Sequence, residues 1–339
     1  MKKLKILVIN TKFLGDLIVS TPGLRSLRHT YPNAEIIFLL RKGFEDVLEN
    51  NPNIDRIISF DARLKGNSNL KKVITGIKFV KELRKEKFDI VIALHPGDRI
   101  AFWAWFSKAK KRIAPKKQSF NFLFNVLVDV KEDSISYLEY YTKIFEAAGV
   151  KIDFNRTEFF IEKTDEQWAD EFINQHTIEN ESIIIGIHPG ASEPTKMWKK
   201  EYFVQLINSL IPLRNYFIIV FEGPQDEEII GYLKNEICSK NLIFIKNSIP
   251  KVAALIKKCR LFLTHDTGTR HLSVAVETPT ITLIPEDNKK YWNFYSEDQK
   301  HHSIIGIRNQ SLDSSIGKPF LDGITVEFVH NKIIQLMQQ

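Results

Sequence analysis

Four short polar stretches, each following an apolar run, carry the residue types that could do chemistry in this chain. Thr11-Lys12-Phe13-Leu14-Gly15-Asp16 sets an acid beside a glycine. A carboxylate there can accept the proton of a hydroxyl nucleophile, which is worth about 10²–10⁴-fold in rate when well aimed. The alternative is a carboxylate that only caps the following helix. The stretch has neither the Gly-x-Gly-x-x-Gly spacing of a dinucleotide turn nor a Gly-Lys-Ser/Thr ending.

The second stretch is His188-Pro189-Gly190-Ala191-Ser192, followed by Lys196 and Trp198. Ser192 offers a hydroxyl and Lys196 a point charge, both suited to phosphate, or the segment is an ordinary polar loop with a solvated lysine. The third, Glu222-Gly223-Pro224-Gln225-Asp226, is a turn whose polar side chains could hold a ribose; Gly223 and Gln225 are its candidates. The fourth is Asp266-Thr267-Gly268-Thr269-Arg270-His271-Leu272. Asp266 and Thr267 suit a helix opening, and Gly268 lets a ligand approach the backbone. Free amides at such an opening bind anions such as a pyrophosphate. His271 falls inside that helix, where a histidine packs more often than it reacts. No Asp-x-Asp, His-x-x-x-His or cysteine pair stands at ligand spacing, so no metal and no cofactor are expected. Charge on a leaving pyrophosphate would then fall to Lys196 and the helix opening.

The elements that must position these stretches alternate between strand and helix, which indicates an α/β fold with parallel sheets covered on both faces. Strands are expected at 5–10, 35–40, 56–60 and 88–94, with helices starting at Leu17 or Thr21 and running to Thr30, and over 44–50 and 70–84. A helix containing Tyr137, Tyr141 and Phe145 ends before Gly149, a strand-like run covers 158–161, and a polar helix carries Trp168. The pattern then restarts, with strands at 183–187, 216–221, 242–245, 261–264 and 280–284. Helices intervene at 202–210, 227–237, 251–259 and 269–276, and the tail 326–337 is helical. We divide the chain into a first domain, 1–165, a second, 166–325, and a C-terminal helix, 326–339, with the option of packing back on the first domain. The strand-end loops make a cleft between two facing domains the expected site, because ligands of open parallel sheets bind at the carboxyl ends of strands.

A length of 339 residues, 43% hydrophobic and 26% charged, fits a globular protein of two ordinary domains. Cys238 and Cys259 are too few for a disulfide framework and suit a reducing cytosol. The apolar start is too short for a signal peptide, and no apolar run spans a bilayer. Residues 1–160 hold 29 Lys+Arg against 18 Asp+Glu, or +11, and residues 161–339 hold 19 against 23, or −4, which together give the net +7. A basic first half is suited to a membrane surface or an acidic substrate. Phe102, Trp103, Trp105 and Phe106 precede Lys108, Lys110, Lys111, Arg112, Lys116 and Lys117. This pattern fits either a membrane interface or aromatics packed on the sheet with solvated lysines.

Taken together, Phe13-Leu14-Gly15-Asp16 with Thr21-Pro22-Gly23-Leu24-Arg25, the segment His188–Ser192 with Lys196-Met197-Trp198, and Asp266-Thr267-Gly268 with His271-Leu272 resemble glycosyltransferase family 9, the heptosyltransferases of lipopolysaccharide assembly. The likeness runs over nearly the whole chain. It implies the GT-B fold, two Rossmann-like domains with the acceptor on the first and the nucleotide-sugar on the second, and metal-independent inversion at the anomeric carbon. By this resemblance Asp16 is the general base and Lys196 faces the donor phosphates. Ser192, Asp266, Thr267 and Gly268 bind the donor, with Gly223, Gln225 and His271 as further donor candidates. Gly15, Lys12 and Arg99 are candidates for the acceptor. The implied partners are a nucleotide-sugar such as ADP-heptose and a lipid-linked oligosaccharide, with no nucleic acid. The implied location is cytoplasmic, with peripheral contact at the inner membrane. Three positions depart from the family pattern: Ile284-Pro285-Glu286-Asp287 replaces a usual Gly-Pro-Thr, Glu277 replaces a glycine, and Gln225 stands near a usual glutamate. They surround the donor pocket and leave open a different nucleotide-sugar for another surface glycan, or a non-catalytic binder of sugar nucleotides.

Overall fold

The computed structural model describes residues 3–61, 69–116, 119–130, 135–176, 178, 181–213, 215–292, 294–295, 300–306, 321 and 323–338. The chain divides into two compact units, 1–160 and 161–339. The first contains β1 (Lys5–Ile9), α1 (Leu14–Val19), α2 (Thr21–Thr30), β2 (Glu35–Arg41), β3 (Arg56–Phe60) and α3 (Asn69–Lys85). It continues with β4 (Ile90–Ala93), α4 (Asp98–Phe106), β5 (Lys111–Pro115), β6 (Val126–Val128) and α5 (Tyr137–Ala147). The second contains α6 (Lys163–Gln175), β7 (Ile183–His188), α7 (Lys200–Leu210), β8 (Tyr216–Phe221), α8 (Glu227–Glu236) and β9 (Leu242–Ile245). Then come α9 (Ile249–Lys258), β10 (Leu261–His265), α10 (Gly268–Ala275), β11 (Thr280–Pro285), α11 (Glu286–Trp292), β12 (His301–Gly306) and α12 (Val326–Met337).

Each unit holds one six-stranded sheet, ordered β3-β2-β1-β4-β5-β6 in the first and β12-β11-β10-β7-β8-β9 in the second. Both are the same winding, in which the first strand of the unit lies at the centre and the order reverses beside it. All ladders are parallel; Ile6 lies between Ile36 and Ile90, and Ile185 between Ile218 and Leu261. Continuous apolar strands such as Tyr216–Phe221 are buried along their whole length, as a sheet covered on both faces requires. The first core joins Leu7, Ile9, Leu39 and Val91 to Leu83, Trp103 and Leu123, and the second joins Ile185, Ile218 and Leu263 to Phe203, Leu206 and Leu233. The C-terminal helix, for which the first domain was one expected resting place, lies against α7, and its Val329 and Ile333 complete the core of the second unit.

Several elements differ from the sequence expectation for identifiable reasons. Of the two starts offered for the helix ending at Thr30, the structure has Thr21, as α2, and a separate short helix, α1, precedes it, the two meeting at Ser20. Pro22 has no amide to give to Ile18, and the Thr21 hydroxyl takes that carbonyl instead at 2.7 Å. The helix expected over 44–50 is one 3₁₀ turn, Glu45–Val47, confined between the left-handed Gly43 (φ +94°) and the Asn50–Asn53 turn cluster. The run at 158–161 forms no strand; the Glu158 amide donates to the Thr21 hydroxyl at 2.9 Å. The stretch 66–69, between the expected strand at 56–60 and the expected helix at 70–84, lies mostly outside the described residues. Five elements were not expected: α4, β5 and β6, and the pair α11 and β12, whose polar sequences lack a strand or helix period.

Candidate active site

In each unit the two central strands leave a crevice at their carboxyl ends, and the predicted loops stand there. In the first unit these are the loops after β1 and β4. They are tied together by His95, whose Nε2 accepts from the Thr11 amide at 3.1 Å while Nδ1 meets the Pro96 carbonyl at 3.0 Å. Because the backbone amide can only donate, Nε2 is the unprotonated nitrogen and the ring is neutral. Burial and the Lys12 charge, opposed by Asp16, hold its pKa below the ordinary value.

Asp16 sits in the first turn of α1, its side chain 13% exposed. The Tyr141 hydroxyl donates to Asp16 Oδ1 at 2.7 Å, and Lys12 Nζ lies 3.7 Å from the same oxygen. Lys12 also stands over the Tyr137 ring at 5.1 Å. The pairs Lys12/Asp16 and Tyr137/Tyr141 are each four residues apart, so one face of α5 meets both charged groups. Burial, then the adjacent Asp16 charge, pushes the Tyr141 phenol well above its ordinary pKa, so it stays protonated and donating. Gly15 is buried beside Asp16, whereas Arg99 is exposed on α4 with its guanidinium over Phe60 at 4.9 Å. The structure thus gathers Lys12, Gly15 and Asp16 at one point and leaves Arg99 without a contact to them.

In the second unit the crevice lies between β7 and β10, with the turn after β8 beside it. Asp226 Oδ2 is 3.0 Å from His188 Nε2 and accepts from the Gly223 amide at 2.6 Å. Burial opposes ionisation of Asp226, but the bonds from His188 and the Gly223 amide outweigh it and keep the carboxyl below its ordinary range. His188 Nδ1 meets the Thr269 hydroxyl at 3.0 Å, and Thr269 is 2.8 Å from Thr267 and 3.0 Å from Thr264. One chain of hydrogen bonds therefore joins all three second-unit loops that the sequence singled out. Gly223 and Gly190 make room for it: a Cβ would stand 2.7 Å from the Asp226 carboxylate at Gly223 and 1.9 Å at Gly190.

His265, at the end of β10, clamps the loop that carries Ser192 and Lys196. Its Nε2 accepts from the Trp198 amide at 2.9 Å and its Nδ1 meets the Gly190 carbonyl at 3.1 Å. The buried Trp198 indole adds a bond to the Ile324 carbonyl at 2.8 Å. Between these anchors Ser192 is exposed, and Lys196 reaches Glu193 at 2.8 Å. Glu193 is itself 57% exposed, so this ion pair is a weak restraint that an anion can displace.

Thr267 is the N-cap of α10 and makes no side-chain cap bond, so the amides of Gly268 and Thr269 open the helix toward the crevice. Asp266 is engaged otherwise. Its carboxylate, 3% exposed, takes Arg270 Nη1 at 3.0 Å and Asn288 Nδ2 at 3.0 Å. Its contribution is to hold the loop, through a buried pair whose loss would strand Arg270. His271 is buried against Trp292 and Tyr295, with Nδ1 3.0 Å from the Tyr295 hydroxyl. Burial, with the Arg270 charge, drives its pKa well below the ordinary value. Gln225 is exposed on the turn. Thr267 and Gly268 thus lie with the hydrogen-bonded loops, and His271 packs on the inner side of the same helix.

Sequence reading missed Tyr141, His95, Asp226 and His265 as members of the sites. One signal was present: His-Pro-Gly occurs twice, at 95–97 and 188–190, each time directly after an apolar strand.

The family described as glycosyltransferase family 9 (heptosyltransferase) matches residues 77–319. Lipopolysaccharide heptosyltransferase 3 of Escherichia coli K12 is 23% identical over 304 residues, covering 85% of this chain and 84% of its own. Among solved structures, a family 9 glycosyl transferase from Veillonella parvula superposes with a TM-score of 0.84 at 23% identity, covering 99% of this chain and 97% of its own. The E. coli ADP-heptose lipopolysaccharide heptosyltransferase II gives 0.80 at 19% identity, with 99% of both chains covered. The two winding patterns described above are those of the GT-B fold. On the extent of the family match, this chain is an enzyme of glycosyltransferase family 9.

Proposed function

We propose that this enzyme transfers heptose from ADP-heptose to a hydroxyl of the lipopolysaccharide inner core, inverting the anomeric carbon without a metal. The observation that carries the base assignment is the state of Asp16. Tyr141 and Lys12 both address Oδ1, and among the described residues Oδ2 takes no hydrogen bond, so one oxygen is held and the other is free to take a proton. In this reading the acceptor hydroxyl loses its proton to Asp16 as its oxygen attacks the anomeric carbon. The bond to the departing ADP breaks on the opposite face, which gives inversion. Lys196 and the amides of Gly268 and Thr269 receive the charge that develops on the leaving diphosphate, as fixed donors do for an oxyanion. Support for the sugar and its carrier comes from the relatives, whose names specify lipopolysaccharide and ADP-heptose.

The test is to incubate the protein with ADP-heptose and a truncated lipopolysaccharide and to follow ADP release, in the presence and absence of EDTA. Release unaffected by EDTA is expected. Asp16→Ala should lower turnover by about 10²–10⁴-fold while ADP still binds as in the parent. Turnover within a few-fold of the parent would remove Asp16 from the role. Release only with another nucleotide-sugar would reassign the donor, to which Glu286, Asp287 and Gln225 are the first places to look.

A further inference from the structure

Eight large hydrophobic side chains are exposed in the described residues, and five of them belong to one layer of the first unit. Ile74 and Ile77 lie on α3, Phe102 and Trp105 on α4, and Phe122 on the 3₁₀ turn Asn121–Leu123, each between 40% and 76% exposed. The three elements are neighbours: α3 packs on α4, α4 packs on the turn, and all contribute to the same core under one face of the sheet. Phe120 bridges Phe102 and Phe122 at ring distances of 5.0 and 6.0 Å. The inner side of the layer is complete, since Trp103 packs on Phe60 and Phe79 at 4.7 and 5.2 Å. The outward residues are therefore not core that missed its place.

Around this apolar face stand Lys78 and Lys81 on α3 and Lys108 and Lys110 after α4, all exposed. None of the four makes an ion pair among the described residues. The exposed acids nearby in sequence are Glu82 and Asp98, fewer than the cations. The cluster is smaller than the sequence suggested. Arg112 spends its guanidinium on the Leu123 and Ala109 carbonyls, Lys116 pairs with Asp129, and Lys117 lies outside the described residues.

We propose that this face of α3 and α4 docks on an anionic lipid bilayer, with Phe102, Trp105 and Phe122 at the acyl boundary and the lysines among the headgroups. The occupant follows from the pairing of chemistries. A protein partner that covers five large apolar side chains needs no surround of unpaired ammonium groups, whereas an anionic bilayer presents an apolar interior beneath a negative surface. Trp105 has the amphipathic ring that favours that boundary, and Lys108 stands 5.8 Å over it. The proposal goes beyond the transfer chemistry, and its readout does not depend on activity.

Co-sedimentation with phosphatidylcholine vesicles, with and without phosphatidylglycerol, tests it. The parent should pellet with the anionic vesicles and stay in solution with the neutral ones. The double variants Phe102→Ser/Trp105→Ser and Lys108→Glu/Lys110→Glu should each bind the anionic vesicles at least about tenfold more weakly, since each cation contributes roughly fivefold. Melting temperatures matching the parent would confirm that both variants are folded. A parent that ignores anionic vesicles, that binds both kinds equally, or whose variants bind like it overturns the proposal. A parent that is dimeric in solution and is split by Phe102→Ser/Trp105→Ser would give this face to a second copy of the chain, and overturns it too.

Discussion

At the level of single residues, the first crevice turns on how Asp16 is held. In the proposed reaction Asp16 accepts a proton, which needs one oxygen fixed and the other presented, and Tyr141 supplies the fixing bond. Its phenol is suited to this because burial and the neighbouring charge keep it protonated at any working pH. Tyr141→Phe removes one hydroxyl from a packed site and leaves the ring. A hydrogen bond to a charged group is worth about 1.5–3 kcal/mol, and about 1.4 kcal/mol is a factor of ten in rate. The variant should therefore lose roughly tenfold to a hundredfold in kcat, with the KM for the nucleotide-sugar within about twofold of the parent. Steady-state kinetics separates this from a merely structural role, which would lower stability and spare kcat. Asp16 itself was legible in the sequence as an acid beside a glycine at a strand end. Tyr141 was legible only as a core residue, because its partner lies 125 residues away and nothing local marks the phenol.

At the level of elements, one strand end organises the loop that carries Lys196. His265 accepts from the Trp198 amide, so it must be neutral at Nε2, and burial lowers its pKa from the ordinary 6.5 to about 4. Since the folded pKa lies below that of the unfolded chain, the unfolded state takes up the proton first as pH falls. The stability that His265 contributes is thus present above about pH 6.5 and is lost between there and about pH 4, amounting to roughly 3 kcal/mol at the lower end. His271 and His95, also held below the ordinary value, act in the same direction. His265→Gln can keep a donor toward the Gly190 carbonyl and an acceptor for the Trp198 amide without the titration. Urea midpoints measured from pH 7 down to pH 4.5 should fall less steeply for His265→Gln than for the parent. An equal fall in both would locate the acid loss elsewhere. The strands and most helices of the second unit could be read from buried apolar runs. The hydrogen-bonded linkage of His188, Asp226 and Thr269 could not, because its members come from three separate loops and meet only after the sheet is wound. In the first unit α4 was hidden for a different reason: its aromatic run splits between core, at Trp103, and surface, at Phe102 and Trp105, which blurs the helical period.

At the level of the molecule, the two units repeat one winding around separate cores, and the second is closed by its own C-terminal helix. Leu321, Ile324, Val329 and Ile333 join Trp198, Phe203 and Leu206 in a single cluster, and the Trp198 indole donates to the Ile324 carbonyl. The end of the chain is therefore part of the body that holds Lys196 and the opening of α10. Two consequences follow from this arrangement. Residues 161–339 carry a complete six-stranded sheet and a core covered on both faces, enough buried apolar surface for a domain of this size to be stable alone. Expressed as a fragment, they should unfold in a single cooperative transition and bind ADP with a Kd within about tenfold of the whole chain. The same fragment ending at residue 325 loses Val329 and Ile333, two fully buried side chains each worth roughly 1.5–3 kcal/mol. That shorter form should melt well below the longer one, or fail to fold, and lose ADP binding with it. Calorimetry on the two fragments decides the matter: equal melting temperatures would show that α12 adds nothing to the second unit's stability. A longer fragment that folds but does not bind ADP would mean that the loops after β7, β8 and β10 are not sufficient to hold the nucleotide.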